Sequence, residues 1–233
     1  MPRDAKQHSN ELSEPGQKYS DSGISRGQWV YEKLIQDVRD GKYAGGVRIR
    51  EEEIARALGV SRTPVREALS RLQARGLLEL APFGLVVTEL SRQQVLELYA
   101  VREILEGSAA RFAAQHASDS EISALHSIAR EFDRDHADPQ RLAHLNRQLH
   151  GSIYEAAHNR YLMRSLNEFQ DTLALLASTT FTVVGRPKEA SKEHAVIIKA
   201  IERRDADAAE QAARQHIHRA QEARLKMMLG IVM

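Results

Sequence analysis

A chain of 233 residues, 42% hydrophobic and 28% charged, has the make-up of a soluble globular protein and the length for two domains of roughly 100 residues each. Its formal net charge of +1 announces no nucleic-acid partner, so any basic surface has to be local, and the absence of cysteine excludes disulfide frameworks, thiolate zinc sites and cysteine nucleophiles. No window reaches the ~18 uninterrupted apolar residues of a membrane span, and the first residues lack the apolar core of a secretory signal, so the expected setting is the cytoplasm, with no membrane partner.

Residues 1–24 are polar, rich in Ser, Gln, Lys and Glu, and read as a disordered arm. Trp29, Val30, Leu34 and Val38 then mark an amphipathic helix that stops at Asp40-Gly41, with Gly45-Gly46 prolonging the break. A short helix over Glu51–Leu58 buries Ile54, Ala55 and Leu58, and Gly59 turns the chain. The next helix runs over about 61–75, with Val65, Ala68, Leu69 and Leu72 at helical spacing. Pro64 falls in its first turn, where a missing N–H is tolerated, and Gly76 is placed to end it. Two apolar runs, 77–80 and 85–88, flank the turn composition Ala81-Pro82-Phe83-Gly84 and read as a β-hairpin. From residue 91 the pattern is helical throughout, with six helices at about 92–115, 120–133, 139–157, 160–180, 190–203 and 205–228. The expected fold is mainly α: a reading module over 25–90, then an all-α antiparallel helical bundle over 91–233.

Arg62, Arg66, Arg71 and Arg75 lie on the helix after Gly59, whose only acid is Glu67. A helix laid in a major groove needs cations for phosphates and a few side chains that reach base edges. Arginine suits both tasks, because its fork binds guanine O6 and N7 together. Ser61 and Thr63 stand at the helix start, where hydroxyls and free N–H groups hold phosphate. Phe83-Gly84 would form a wing tip beside the adjacent minor groove. Helix, turn and helix alone describe equally a small domain with a solvated basic face. The added hairpin gives the order of a winged helix-turn-helix.

The run Val60-Ser61-Arg62-Thr63-Pro64-Val65-Arg66-Glu67-Ala68-Leu69, followed by Arg71-Leu72 and Gly76-Leu77-Leu78, resembles the GntR family of bacterial repressors over about 60 residues. The resemblance implies that Arg62 and Arg66 contact the operator, with Ser61 and Thr63 at the DNA backbone and Gly84 at the wing. One departure bears on which operator is read: some members carry a DNA-contacting arginine on the preceding helix, where this chain has Glu52.

Of the 10 histidines, only His8 precedes residue 116. Asn146 and His150 are four apart and share a helix face, and His194 and His216 fall on the last two predicted helices. Three imidazoles with one oxygen ligand suit zinc, nickel or a similar divalent ion, although spacing alone describes surface or core-edge histidines equally well. The set Asn146, His150, Glu193-His194 and His216 is similar to the C-terminal domain of the FadR subgroup, the FCD type. There an acid or amide and three histidines hold a metal at the floor of an effector pocket. Asn146 departs from the more usual aspartate, and a neutral amide cancels no charge, so the implied metal affinity is lower. His144, His158 and His218 fall outside the pattern and read as surface residues. Val101-Arg102-Glu103-Ile104-Leu105-Glu106 also matches the first helix of that domain, where the arginine at the place of Arg102 pairs with an effector carboxylate. An intrahelical ion pair of Arg102 with Glu106 is the other reading, worth only about 0.3–0.5 kcal/mol on a surface.

The expected function is that of a homodimeric, DNA-binding transcriptional regulator, in most such cases a repressor, which acts on the nucleoid. A small organic acid bound near the metal would tune its affinity for double-stranded operator DNA. The alternative is a metal-dependent hydrolase that kept a vestigial DNA module.

Overall fold

The computed structural model describes residues 23–134, 136–176 and 178–230, so the predicted arm lies outside the described residues except for its last two positions. Helix α1 (Arg26–Arg39) starts where the Ser25 hydroxyl accepts from the Gln28 amide, and it buries Val30, Leu34, Ile35 and Val38. Helix α2 (Glu51–Leu58) is followed by Gly59 at φ 64°, a left-handed turn that a residue with a Cβ takes only with strain, and then by α3 (Arg62–Ala74). Strands β1 (Leu78–Ala81) and β2 (Gly84–Val87) pair antiparallel from Leu78 with Val87 to Ala81 with Gly84, leaving Pro82 and Phe83 as the turn.

Between α1 and α2 the sequence predicts only a break, yet the chain there joins the hairpin. Arg48 bridges Val86, the Ile49 amide donates to the Leu85 carbonyl (2.8 Å), and the Val87 amide donates to the Val47 carbonyl (3.0 Å). The contact is an isolated bridge, and residues 47–49 are too few to show a period-two pattern in the sequence. The core beneath gathers Val30, Leu34, Ile54, Val65, Leu69, Leu72 and Val87.

The helical half comprises α4 (Arg92–His116), α5 (Asp119–Arg134), α6 (Pro139–Ala156), α7 (Arg160–Leu173), α8 (Arg186–Glu202) and α9 (Ala206–Met228). Ser91, Asp138, Asn159 and Asp205 cap α4, α6, α7 and α9 with side-chain oxygens. Two boundaries differ from the sequence reading. The helix predicted over 160–180 ends at Leu173 and gives way to 3-10 turns at Ala174–Leu176 and Thr180–Thr182. At the second of these turns Thr179 Oγ1 accepts from the Phe181 amide (3.2 Å) and caps it. The helix predicted from 190 starts at Arg186, because Pro187 sits in its first turn and extends it.

Small residues set the main contact of this half. Ala109, Ala110, Ala113 and Ala114 of α4 meet Ala209 and Ala213 of α9, with Ile197, Ile198 and Ile201 of α8 in the same core. Ala174 and Leu175, from the turn after α7, belong instead to the core beneath the hairpin. The two halves of the chain therefore share buried side chains. Among the described residues no helix is long and apolar enough to cross a membrane.

Candidate functional site

Ser61, Arg62, Thr63 and Arg66 are all exposed at the start of α3. The side chains of Arg62 and Arg66 are 56% and 68% exposed, so both project outward as DNA reading requires. Neither is idle. Arg62 donates to Glu51 (3.0 Å) and Glu52 (3.1 Å) of α2, and Arg66 donates to Glu51 at 2.9 and 3.3 Å. Hydrogen bonds from both arginines lower the pKa of Glu51. Arg71 and Arg75, further along the same helix, have partners elsewhere in the protein. Arg71 lies 4.2 Å over the Tyr31 ring and donates to Gln28 (2.8 Å), and Arg75 reaches Asp171 of α7.

At the wing, Gly84 has φ 121°, open only to glycine, and Phe83 is exposed at the tip. A Cβ on Gly84 would lie 3.4 Å from Arg48 Nε, so the bridge at Arg48 places a cation at this edge.

The predicted metal residues converge in the helical half. His150, His194 and His216 are buried, and one ring nitrogen from each lies within 4.8 Å of the others. Asn146 Oδ1 and both ring nitrogens of His194 are buried without a hydrogen-bond partner. His194 is instead held edge-on to the Phe132 ring, with centroids 5.0 Å apart. His144, His158 and His218 are exposed.

Two carboxylates, Glu106 and Glu193, orient this group. Glu106 meets His150 Nδ1, and Glu193 Oε2 lies 2.7 Å from His216 Nδ1. Burial would raise the pKa of Glu106, but Arg102 and His150 outweigh it and hold the carboxyl well below the usual range. For Glu193 burial is outweighed by His216 and Arg186, which hold it at about 2. Ionised carboxylates only accept, so both Nδ1 atoms carry the proton. The two Nε2 atoms then face each other across 3.2 Å, where both can turn toward a cation. Burial pushes His216 down to about 4 and His194 well below the ordinary imidazole value, which keeps both neutral at pH 7. Neutral, carboxylate-backed imidazoles beside an unpartnered amide oxygen fit a divalent metal ion.

The ion pair of Arg102 with Glu106 (2.5 Å) exists, but it is buried, so the surface magnitude does not apply to it. A matching pair, Arg186 with Glu193 at 2.8 and 2.9 Å, backs His216. The contacts of Glu106 with His150 and of Glu193 with His216 escape sequence reading because the partners lie 44 and 23 positions apart, beyond any local spacing rule.

A cavity of about 150 Å³ opens beside Asn146, His150 and His216, and the Arg102 side chain lines it. Its wall continues through Leu173, Ala174 and Leu176 to Ser178. At the end of α7, Asp171 accepts from Tyr31 (3.2 Å), Arg39 (3.0 Å) and Arg75, all on α1 or α3. One short segment thus touches both the cavity and the reading module.

Residues 27–83 match the family described as bacterial regulatory proteins, gntR family, and residues 97–219 match the FCD domain. The chain is 32% identical over 196 residues to the probable D-xylose utilization operon transcriptional repressor of Paenarthrobacter nicotinovorans, spanning 81% of this chain and 84% of that one. It is 27% identical over 192 residues to the HTH-type transcriptional regulator YdhC of Bacillus subtilis, spanning 81% and 86%. The solved structure of E. coli McbR/YncC shares the fold with a TM-score of 0.79 at 19% identity, over 88% of this chain and 99% of that one.

Proposed function

Because this chain belongs to the GntR family of bacterial regulatory proteins and carries an FCD domain, we propose that it is a repressor whose grip on operator DNA is set by a small carboxylate bound among its C-terminal helices. Residues 25–90 read the DNA, and residues 91–233 bind the effector and join two copies into a homodimer. Two reading modules then meet a pseudo-palindromic operator on the cytoplasmic nucleoid. The observation that carries this reading is the outward projection of Arg62 and Arg66 from the helix after Gly59. Ser61, Thr63 and Gly84 hold the phosphates on either side.

In the helical half, Asn146, His150, His194 and His216 would hold zinc or nickel, which when bound supplies a Lewis-acid anchor for an effector carboxylate. Arg102 spends Nε on Glu106, and its two terminal nitrogens are left to donate to the same carboxylate. Effector filling the cavity presses on the wall from Leu173 to Ser178, and Asp171 carries that displacement to α1 and α3. DNA affinity changes by however much the effector prefers one placement of the reading module over another. A hydrolase would need a free general base beside the metal. The two acids that touch the histidines, Glu106 and Glu193, are committed to arginine and imidazole partners.

Selection from random duplexes with the full-length protein tests the proposal. It should enrich a pseudo-palindrome, and binding should weaken steeply with salt. Arg62→Ala or Arg66→Ala should cost about 1–3 kcal/mol on the enriched site. No enrichment, or unchanged affinity in both variants, refutes the reading.

A further inference from the structure

Five arginines line the cavity, and no aspartate or glutamate does. Three of the five carry their own carboxylates: Arg39 has Asp171, Arg102 has Glu106 and Arg186 has Glu193. The other two, Arg147 of α6 and Arg224 of α9, have no carboxylate partner among the described residues.

Arg224 is 8% exposed. Its terminal nitrogens donate to Ser178 Oγ (3.2 Å) and to the Ser178 carbonyl, and its Nε is buried without a partner. A hydroxyl and a carbonyl satisfy N–H groups, but they do not cancel a charge. Holding an uncompensated guanidinium out of water costs several kcal/mol. Arg147 is half-buried, and its side chain lines the same cavity as Arg224. A wall with two surplus positive charges and no acid is built for an anion.

The two ends of the cavity are set apart along one helix. Arg224 follows His216 by eight residues, a rise of about 12 Å, with Ala220 on the wall between them. Long side chains lean toward the helix N-terminus, which brings the guanidinium back toward the histidines and shortens the gap. A room of about 150 Å³ takes a molecule of roughly six to ten non-hydrogen atoms. That is ample for a short chain with an acid at each end.

We propose that the effector is a short dicarboxylate, with one carboxylate at the Asn146, His150 and His216 end and the other held by Arg147 and Arg224. The proposal rests on the effector reading above and narrows it from an acid to a diacid.

Calorimetry on the full-length, nickel-loaded protein tests it with matched pairs of acids: succinate against butyrate, and glutarate against valerate. The diacid of at least one pair should bind roughly tenfold or more tightly than its monoacid, the worth of one charge-assisted contact. Arg224→Gln and Arg147→Gln should each erase that preference while nickel content by elemental analysis stays unchanged. Arg147 lies nearer the surface, so its variant keeps the test open if Arg224→Gln loses its fold. Equal binding of diacid and monoacid, with Arg102→Gln weakening both, overturns the dicarboxylate and leaves the effector reading standing. Binding of neither class to nickel-loaded protein overturns both.

Discussion

Replacing Asp171 with asparagine separates the mechanical link between the two halves from everything else in the molecule. The carboxylate is 14% exposed and accepts from three donors on the reading module: Arg39, which is 27% exposed, Arg75, which is 41% exposed, and the Tyr31 hydroxyl. A hydrogen bond to a charged group contributes about 1.5–3 kcal/mol when buried, and an exposed ion pair about 0–1 kcal/mol. Arg75 falls near the lower range, Arg39 lies between the two, and Tyr31 adds about 1 kcal/mol. Asparagine keeps one acceptor and loses the charge, and the freed guanidinium groups recover water, so the net loss should be about 2 kcal/mol. That loss is about a 30-fold shift toward the undocked state. Hydrogen exchange should report it as faster opening of α1 and of the turn at Ala174–Leu176, with α4, α8 and α9 unchanged. The same variant should bind DNA while responding less to effector. A cycle with Arg39→Gln gives the pairwise share. Unchanged exchange in α1, or a full effector response, would show that Asp171 does not couple the halves.

Two further perturbations probe the other sites. Glu51→Gln removes the carboxylate that holds both Arg62 and Arg66, so duplex affinity should rise severalfold and the salt dependence should steepen; filter binding across a salt series would contradict this if neither changed. Metal affinity should move in opposite directions with two exchanges. Asn146→Asp should raise it by adding a charge, and Glu106→Gln should lower it about 10–100-fold by loosening the His150 tautomer. Competition with a chelator measures both, and an unmoved midpoint in either variant would separate that residue from the metal.

Local rules reached far in this chain and stopped where contacts became distant. Gly59, Pro64 and the apolar spacing from Val65 to Leu72 announce the reading helix, and the helix stands where they place it. The histidines were legible because a resemblance supplied what spacing could not. Periodicity identifies the face of Arg62 and Arg66, but it does not show that Arg75 reaches an aspartate 96 positions on. Glu106 and Glu193 were legible as helix residues and illegible as supports. Arg102 appeared as half of an i,i+4 surface pair, and only the fold shows that the pair is enclosed. The end of α7 at Leu173 was hidden by the apolar residues that follow it, which favour helix but form a 3-10 turn.

The short turn after α7 also decides how far this protein can be taken apart. Its first two residues, Ala174 and Leu175, fill space beneath the hairpin, and its third, Leu176, lies against Val95, Tyr99 and Ile217 on the other side. A fragment cut after residue 90 would leave a hollow where Leu175 belongs and would bare leucines that the intact chain keeps dry. Domain grafts that splice such an N-terminal segment onto a foreign sensor therefore have to bring along, or rebuild, a plug that lies some 85 residues downstream of the cut.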